Sequence, residues 1–338
     1  MSESPDTAAA PRSSRPARAS MADPEAGPAV RLHQVTKTFG PKTAVDAVSL
    51  TVAAGTVFGL IGPNGAGKTT TFSMMAGYLH PTSGSIEILG FAPSAVDSLR
   101  ARLGVLPQDA LLPPHDHVGE LLVHMARLQG IPASKARELA RQALAEVEGG
   151  DWWNQKCGSL SHGMAKRVAL AQAFLGAPDV VLLDEPTAGL DPRVAFEMRQ
   201  LVKAKRGRST IIISSHNLQE LEEICDAAAI LDRGRVVALG TMAELTAQNE
   251  EIRIKVRAGT RRGSQPGQVP MVALQEVALV RTADFDEDTG ELLVSFERSK
   301  TDAETVIGAV LWILLTAKVL ISGVSKGRGL EQRVMDLT

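Results

Sequence analysis

Residues 62–70 constrain the fold of this chain more than any other segment. They read Gly62-Pro63-Asn64-Gly65-Ala66-Gly67-Lys68-Thr69-Thr70 and satisfy the pattern G-x-x-x-x-G-K-[ST]. A continuously apolar run at residues 57–61 precedes the pattern, as expected for a strand that is buried on both faces of a sheet. A chance Lys-Thr in a glycine-rich turn is the rival interpretation. Because a buried strand and an apolar helix flank the loop, the sequence instead predicts an α/β core with a phosphate site.

Each part of this loop suits a nucleoside triphosphate. Glycines let the backbone wrap closely around an oxyanion, and the loop N–H groups converge on it at the positive end of the following helix. Lys68 would neutralise the β- and γ-phosphates, and the Thr69 hydroxyl would ligate Mg²⁺. We therefore expect all nine residues of the loop to line the nucleotide site.

Two carboxylates, Asp184 and Glu185, follow a second apolar run at residues 180–183. Open parallel sheets bind their ligands at the carboxyl ends of strands, so both side chains are expected close to the phosphate loop. Asp184 is suited to holding Mg²⁺, directly or through water. Glu185 is then placed to orient or deprotonate the attacking water. A third run, at residues 210–214, leads to His216, which we predict to contact the γ-phosphate.

The order of strand and helix patterns predicts one α/β domain at residues 29–249. Between residues 118 and 148, apolar side chains recur at helical spacing, which indicates a helical insertion. Two short apolar runs at residues 227–231 and 235–239 flank Asp-Arg-Gly and predict a hairpin. A helix at residues 242–248 would close the core.

The two ends of the chain differ from this core. Residues 1–28 are rich in Ala, Pro, Ser and Arg and predict a disordered tail; contact of its arginines with anionic lipid is the alternative. Residues 250–338 predict an α+β appendage, with a linker at 257–269 and strands at 291–296 and 318–324 around a helix at 303–317. Residues 306–317 are apolar, but a bilayer span needs about 20 residues. The sequence therefore predicts a buried helix there.

Composition narrows the classes of function. The chain has 44% hydrophobic and 22% charged residues, which is ordinary for a globular protein. A formal net charge of -2 gives no general reason to expect nucleic acid as a partner. Cys157 and Cys225 lie far apart without CxxC spacing, so neither a disulfide framework nor a zinc site is predicted, and a reducing cytosol fits.

The segment Leu160-Ser161-His162-Gly163-Met164, placed between the loop and the carboxylates, resembles the L-S-G-G-Q signature of ABC ATPases. The resemblance covers residues 30–246. It implies a P-loop NTPase core of ABC type with a helical subdomain at about residues 109–165 and an antiparallel β subdomain. It also assigns further roles: Gln108 as the Q-loop residue with catalytic and Mg²⁺ contacts, Asp191 as the D-loop residue, His216 as the H-loop residue and Phe39 as the ring that stacks on adenine. Plain core packing is the alternative for Phe39.

The family resemblance also implies partners. Two copies would pack head to tail around two ATP molecules, so Ser161 and Gly163 of one subunit would face the γ-phosphate held by Lys68 of the other. A separate polytopic membrane permease would hold the dimer at the cytoplasmic face of the cell membrane. The last ten residues, 329–338, resemble the S-L-E-D-x-F-L-x-L-T ending of drug, polysaccharide and lipid exporters, and export is therefore expected.

Two rival functions stay open at this point. A soluble ABC ATPase of translation or DNA maintenance would carry two nucleotide domains or a long coiled-coil insertion, whereas this chain has one phosphate loop. A regulatory module that binds nucleotide without turnover is disfavoured by Glu185 and His216. Three weaker signals are given structural interpretations: a hairpin turn for Asp284, Asp286 and Asp288, surface positions for His115 and His117, and aromatic packing for Trp152 and Trp153.

Overall fold

The computed structural model describes residues 27–215, 218–247, 251–256, 269–287, 289–296, 301–326 and 334. The strands are β1 (Val30–Phe39), β2 (Lys42–Val52), β3 (Val57–Ile61), β4 (Ser83–Ile88), β5 (Leu103–Leu106), β6 (Val180–Asp184), β7 (Thr210–Ser214), β8 (Ala227–Asp232), β9 (Arg235–Thr241), β10 (Glu251–Val256), β11 (Val280–Asp286), β12 (Glu291–Phe296) and β13 (Ile321–Lys326). The helices are α1 (Lys68–Met75), α2 (Val96–Leu99), α3 (Val118–Leu128), α4 (Ala133–Glu146), α5 (His162–Ala173), α6 (Pro192–Ala204), α7 (Leu218–Ile224), α8 (Met242–Ala247), α9 (Met271–Gln275) and α10 (Ala303–Thr316).

The central sheet has the strand order β5-β6-β7-β3-β8-β9, and all neighbours are parallel except β8 and β9. Every residue of β3, β6 and β7 is buried, as the continuously apolar runs predicted. Because successive strand residues point to opposite faces, Val180 and Leu182 enter one hydrophobic core while Val181 and Leu183 enter another. The α/β core predicted from the sequence is confirmed.

A three-stranded antiparallel sheet of order β2-β1-β4 covers one face of the core. Val48, Leu50 and Val52 of β2 are buried at alternate positions, as in a sheet with one covered face. At one edge of the central sheet, β8 and β9 form the predicted hairpin, with Arg233 and Gly234 at positive φ in the turn.

Helix α5 belongs to two hydrophobic cores. Ala169 and Leu170 pack with the central sheet, whereas Val168 and Ala171 pack with α3 and α4 of the helical insertion. A Cβ at Gly104 of β5 would lie 1.9 Å from the Ala173 carbonyl oxygen, so the end of α5 rests directly on this strand. The expected end of the helical subdomain near residue 165 falls inside α5.

The predicted packing of the two tryptophans is observed. A Cβ at Gly119 would lie 2.3 Å from the Trp153 ring, and the Arg141 guanidinium lies 4.3 Å from the centroid of that ring. Trp152 packs beside Gly149 and Leu144.

The appendage is a four-stranded antiparallel sheet of order β11-β12-β10-β13 with α9 and α10. The sequence predicted only β12, β13 and α10. The predicted start of the last strand at Lys318 is wrong, because Lys318 has φ +58 and ends α10 instead. Its N–H donates to Leu315 O at 3.0 Å and the Val319 N–H donates to Leu314 O at 2.9 Å, which is a Schellman motif. The strand begins at Ile321.

Several other predicted features of this half of the chain lie partly or wholly outside the described residues. Asp284 and Asp286 lie in β11, which turns back into β12 as a hairpin, while Asp288 lies outside the described residues. The same is true of the tail at residues 1–26, the linker at 257–268 and the closing segment apart from Val334, which packs in the core beside Met242 and Leu245. No helix in the described part of the chain is long and apolar enough to span a bilayer.

Candidate active site

The phosphate loop joins the end of β3 to the first residue of α1. At Gly67, which precedes α1, φ is +100 and a Cβ would lie 2.6 Å from the Ala44 carbonyl oxygen. A Cβ at Gly62 would lie 2.3 Å from the Leu231 carbonyl oxygen. Only glycine fits either position, since a larger residue would collide with fixed backbone of β2 or β8. The loop is thereby clamped between the antiparallel sheet and the central sheet.

The Lys68 side chain folds back over this loop. It is 6% exposed, and its Nζ donates to Gly62 O at 2.6 Å and to Pro63 O at 3.1 Å. Burial lowers the pKa of Lys68, while Glu185 and Asp184 partly oppose this through their negative charge. The ammonium is thus held inside the ring of loop backbone that a phosphate would enter.

Asp184 lies at the end of β6, beside the loop, as the sequence predicted. The Ser214 hydroxyl of β7 donates to Asp184 Oδ1 at 2.5 Å, and the Thr69 side chain is also hydrogen-bonded to this carboxylate. Burial raises the pKa of Asp184, and the hydrogen bonds from Ser214 and Thr69 oppose the rise. A hydroxyl and a carboxylate in contact are the oxygen donors that Mg²⁺ prefers, so these residues fit the ion.

Glu185 follows Asp184 at a sharp turn of the backbone. It has φ +51, which is uncommon outside glycine, and it is 7% exposed. Its N–H donates to the Ser214 hydroxyl at 2.9 Å. Ser214 therefore holds both carboxylate residues, through the side chain of Asp184 and the backbone of Glu185. Strained backbone of this kind persists where neighbouring contacts fix it, which is common at functional sites.

Lys166 of α5 connects this site to the segment after β5. It is 8% exposed, and its Nζ donates to the Gln108 carbonyl oxygen at 2.9 Å. Burial lowers the pKa of Lys166, and Asp109, Asp184 and Glu185 oppose the shift. Lys166 therefore interacts electrostatically with both carboxylates, Asp184 and Glu185.

The segment 160–164 lies at the start of the same helix. The Ser161 hydroxyl caps α5 by accepting from the Met164 N–H at 3.3 Å, and Ser161 and His162 are exposed. A Cβ at Gly189 would lie 3.5 Å from His162 Nε2, so the segment borders the loop that follows Glu185. The phosphate loop and Ser161 are therefore held by different elements of the fold, α1 and α5.

The loop after Glu185 is itself fixed at both ends. The Asp191 carboxylate caps α6 by accepting from the Arg193 N–H at 3.0 Å. The Thr187 hydroxyl donates to Glu220 Oε2 of α7 at 2.7 Å, and Glu220 Oε1 accepts from Arg199 Nη1 at 2.7 Å. This network ties the loop to the helix that follows the predicted His216, which lies outside the described residues.

Phe39 ends β1 and is 47% exposed, with Lys37 Nζ 5.2 Å from the centroid of its ring. It pairs with Lys42, two residues before the Ala44 carbonyl that contacts Gly67. The ring therefore belongs to the strand tip next to the phosphate loop and is not part of the buried core.

Sequence reasoning missed three residues of the site: Lys166, Ser214 and Glu220. The signal for Lys166 was available, because it is a lysine on a helix whose residues 168–171 are all apolar. Ser214 ends a buried strand next to Asp184, but its role depends on the pairing of β6 with β7. Glu220 stands among several glutamates, and nothing local distinguishes it.

Three comparisons with known proteins bear on this site. The family model described as "ABC transporter" matches residues 45–188, which include the phosphate loop, Ser161 and both carboxylates. The Nod factor export ATP-binding protein I of Burkholderia lata is 40% identical over 213 residues, which is 62% of this chain and 70% of the relative. The daunorubicin/doxorubicin resistance ATP-binding protein DrrA of Streptomyces peucetius is 36% identical, over 64% of this chain and 66% of the relative.

Solved structures agree on the fold. An ATP-binding subunit of an ABC transporter superposes with a TM-score of 0.60 at 27% identity, covering 64% of this chain and 91% of that one. The cbiO1 protein of Clostridium perfringens, part of the cbiONQ transporter complex, has a TM-score of 0.58 at 27% identity, over 66% of this chain and 92% of its own.

Proposed function

The chain belongs to the ABC transporter family as an ATP-binding, ATP-hydrolysing subunit, and from that premise we propose that it powers export through a separate membrane permease. The relatives that match along most of their length are named for export or for drug resistance, which favours export over uptake. One observation carries the assignment of chemistry. Lys68, Thr69, Asp184 and Glu185 lie together at the carboxyl end of the central sheet, where a nucleoside triphosphate and the attacking water can both bind.

In the proposed reaction each side chain has a distinct task. Lys68 neutralises the β- and γ-phosphates, which disperses the charge of the transition state. Thr69, Asp184 and the side chain of Gln108 would hold Mg²⁺, which would polarise the terminal phosphate. Glu185 accepts the proton of the attacking water, and Ser214 keeps Asp184 and Glu185 in place. His216 contacts the γ-phosphate, and the exposed ring of Phe39 stacks on adenine.

We further propose that the active site is completed by a second copy of the chain. The start of α5 is exposed, with the Ser161 hydroxyl and the positive end of the helix dipole at its tip. These groups suit an anion, and they lie on the element next to the loop that ends at Asp191. In the dimer, Ser161 and Gly163 would bind the γ-phosphate held by the partner subunit, so ATP would close the dimer and hydrolysis would release it.

The permease would contact the surface beside Gln108. Leu111, three residues further on, is 92% exposed, and the link from Lys166 to the Gln108 carbonyl joins this surface to the carboxylates. Such a link supports the proposal that opening of the nucleotide site is transmitted to a membrane partner. The subunit would then work at the cytoplasmic face of the cell membrane.

The test uses Glu185→Gln in the full chain, expressed in its own cells. The variant should bind ATP and form a stable nucleotide-dependent dimer. Its ATPase rate should fall by a factor of about 10² to 10⁴, because it keeps the fold but lacks the base. Glu87→Gln, an exposed glutamate of β4, serves as the control and should keep full activity. Wild-type phosphate release by Glu185→Gln would contradict the assigned role of Glu185.

The same trapped dimer identifies the partner. Membranes solubilised with ATP present should yield a stoichiometric polytopic protein together with the Glu185→Gln variant. Recovery of ribosomal or DNA-bound proteins without a permease would instead support a soluble ATPase, and the export proposal would fail.

A further inference from the structure

Helix α5 joins two groups that the proposed dimer assigns to different nucleotides. Its N-cap, Ser161, is exposed and would face the γ-phosphate held by the partner subunit. Five residues further on, Lys166 donates to the Gln108 carbonyl oxygen at 2.9 Å, beside the nucleotide site of its own subunit. One helix of three turns therefore contacts both sites, and a displacement of its start can reach the other site.

The contact between Lys166 and Gln108 is a firm one. Lys166 is 8% exposed, and the negative charges of Asp109, Asp184 and Glu185 interact with its ammonium. Because a buried ammonium without an acceptor is costly, the hydrogen bond to the Gln108 carbonyl is held under most displacements of the side chain. The backbone of Gln108 is thereby bound to α5, and the residue assigned to Mg²⁺ follows the position of this helix.

The C-terminal end of α5 is the fixed end of the helix. A Cβ at Gly104 of β5 would collide with the Ala173 carbonyl oxygen, so this end rests on the strand without a gap. Ala169 and Leu170 of the same end pack in the core of the central sheet. The other end, at Ser161, is exposed. A force on Ser161 would therefore tilt the helix about Ala173.

Distances along the helix show how much of such a tilt reaches Gln108. Ser161 lies twelve residues and Lys166 seven residues from Ala173. At a rise of about 1.5 Å per residue, these separations are about 18 Å and about 10 Å, so a shift of about 1 Å at Ser161 moves Lys166 by about 0.6 Å. Gln108 must follow a movement of this size, because a 2.9 Å bond stretched as far would reach about 3.5 Å, the limit for a hydrogen bond.

From this geometry we infer that Lys166 is a positioning residue that couples the two nucleotide sites of the dimer. ATP held by one subunit moves Ser161 of the other, and α5 and Lys166 then set Gln108 for hydrolysis at the second site. The inference rests on the proposed dimer. Coupling requires contacts that differ between two states, and the presence or absence of the γ-phosphate at Ser161 supplies that difference.

Mixed dimers that hydrolyse at only one site test the coupling. Two affinity tags select dimers in which subunit 2 carries Glu185→Gln, so that only the nucleotide held by subunit 1 is hydrolysed. At saturating ATP, Lys166→Met and Ser161→Ala in subunit 1 should each lower kcat about tenfold, within the usual range of coupling between sites, and leave KM nearly unchanged. The combined variant in subunit 1 should also lose about tenfold, not about a hundredfold, because both changes break the same connection.

Two control variants separate coupling from local damage. Ser161→Ala in subunit 2 removes a direct contact with the hydrolysed nucleotide. Its effect should therefore multiply with that of Lys166→Met in subunit 1, since the two act independently. Lys135→Met, at an exposed lysine of α4, also removes a positive charge from a helix of the insertion and should leave kcat unchanged.

Hydrogen exchange gives a readout that does not depend on turnover. In the Glu185→Gln homodimer, ATP should alter the exchange of the backbone N–H groups of residues 108–112. This response should be lost when Ser161→Ala or Lys166→Met is added. The protection of residues 62–70 by ATP should remain in both variants, because the phosphate loop binds the nucleotide without α5.

Two results would overturn the inference. One is a kcat of the combined variant in subunit 1 that equals the product of the two single effects. The other is an exchange response of residues 108–112 that survives Ser161→Ala. A mixed dimer that does not form with ATP would contradict the proposed dimer itself, and the inference with it, so the two kinds of failure are distinguishable.

Discussion

Replacing Ser214 with alanine should change both the free energy of unfolding and the pH dependence of activity. In the wild type, the buried hydroxyl donates to Asp184 Oδ1 at 2.5 Å and accepts from the Glu185 N–H at 2.9 Å. The variant loses a hydrogen bond to a charged group, worth about 1.5 to 3 kcal/mol, and leaves a buried N–H without that acceptor, at a cost of about 1 to 3 kcal/mol. Because both effects arise from one atom, we expect a loss of about 2 to 4 kcal/mol in the free energy of unfolding.

The same substitution should change the pH dependence of activity in a defined direction. Burial already raises the pKa of Asp184 and the Ser214 hydrogen bond opposes the rise, so Ser214→Ala raises this pKa further. Mg²⁺ binding needs the ionised carboxylate. The acid limb of the kcat/KM profile should therefore move to higher pH, and the Mg²⁺ concentration for half-maximal activity should increase most at the acid end. For folding, the sign is that of a carboxyl whose pKa is raised: its contribution to stability is largest at low pH and is lost as pH rises through the folded-state pKa.

Ser209→Ala provides a matched control for Ser214→Ala. Ser209 is 4% exposed and its hydroxyl donates to Pro178 O at 2.7 Å, away from the carboxylates. It should lose about 1 to 3 kcal/mol in stability, as when a buried hydrogen bond is removed, without a shift of the pH profile. An acid limb and a Mg²⁺ requirement that match the wild type in Ser214→Ala would refute the role given to this hydroxyl.

Three further predictions concern residues around the site. Lys166→Met should lower kcat about tenfold with little change in KM, because the link to the Gln108 carbonyl and a charge beside the carboxylates are lost; steady-state kinetics with an unchanged kcat would contradict it. Phe39→Ala should weaken ATP binding by about 1 to 3 kcal/mol of lost stacking while leaving stability near wild type, as calorimetry and thermal unfolding would measure. Glu220→Gln should weaken the hold on Thr187 and lower kcat more than ATP affinity, and equal activity of the variant and wild type would argue against a positioning role.

The sequence predicted those parts of the molecule that local pattern determines. The phosphate loop, the buried run before Asp184 and the hairpin around Arg233 follow from residue types over a few positions, and the structure has them where expected. Strand β10 was missed, because it is a short, mixed run whose pairing partners, β12 and β13, lie far along the chain. Strand β11 was missed although β12 follows it directly in a hairpin, because its polar and apolar residues do not alternate regularly. The interior of the appendage sheet depends on the distant pairings of β10, so no window of the sequence encodes it.

Some residues of the site could likewise be recognised from the local sequence, and others could not. Asp184 and Glu185 are recognisable because two carboxylates after an apolar strand are rare, whereas Ser214 acquires its role only when β7 pairs beside β6. Lys166 is meaningful only after α5 has packed against the segment that follows β5. In each case the missing information is a tertiary contact between elements that are remote in sequence.

Because α5 packs in two hydrophobic cores, it limits which segments of this chain can be exchanged with those of related subunits. One side of the helix packs with the central sheet and the other with α3 and α4, and its end rests on Gly104. A chimera that exchanges only residues 118–148 would set foreign helices against a native α5 and leave cavities or overlaps, each worth about 1 to 5 kcal/mol. A graft that reaches Leu175 would transfer the helix with its own partners, but it must then reproduce the fit to the β5 backbone. Chimeras made to exchange permease specificity between such subunits should therefore fold best when their crossover points lie outside residues 104–175.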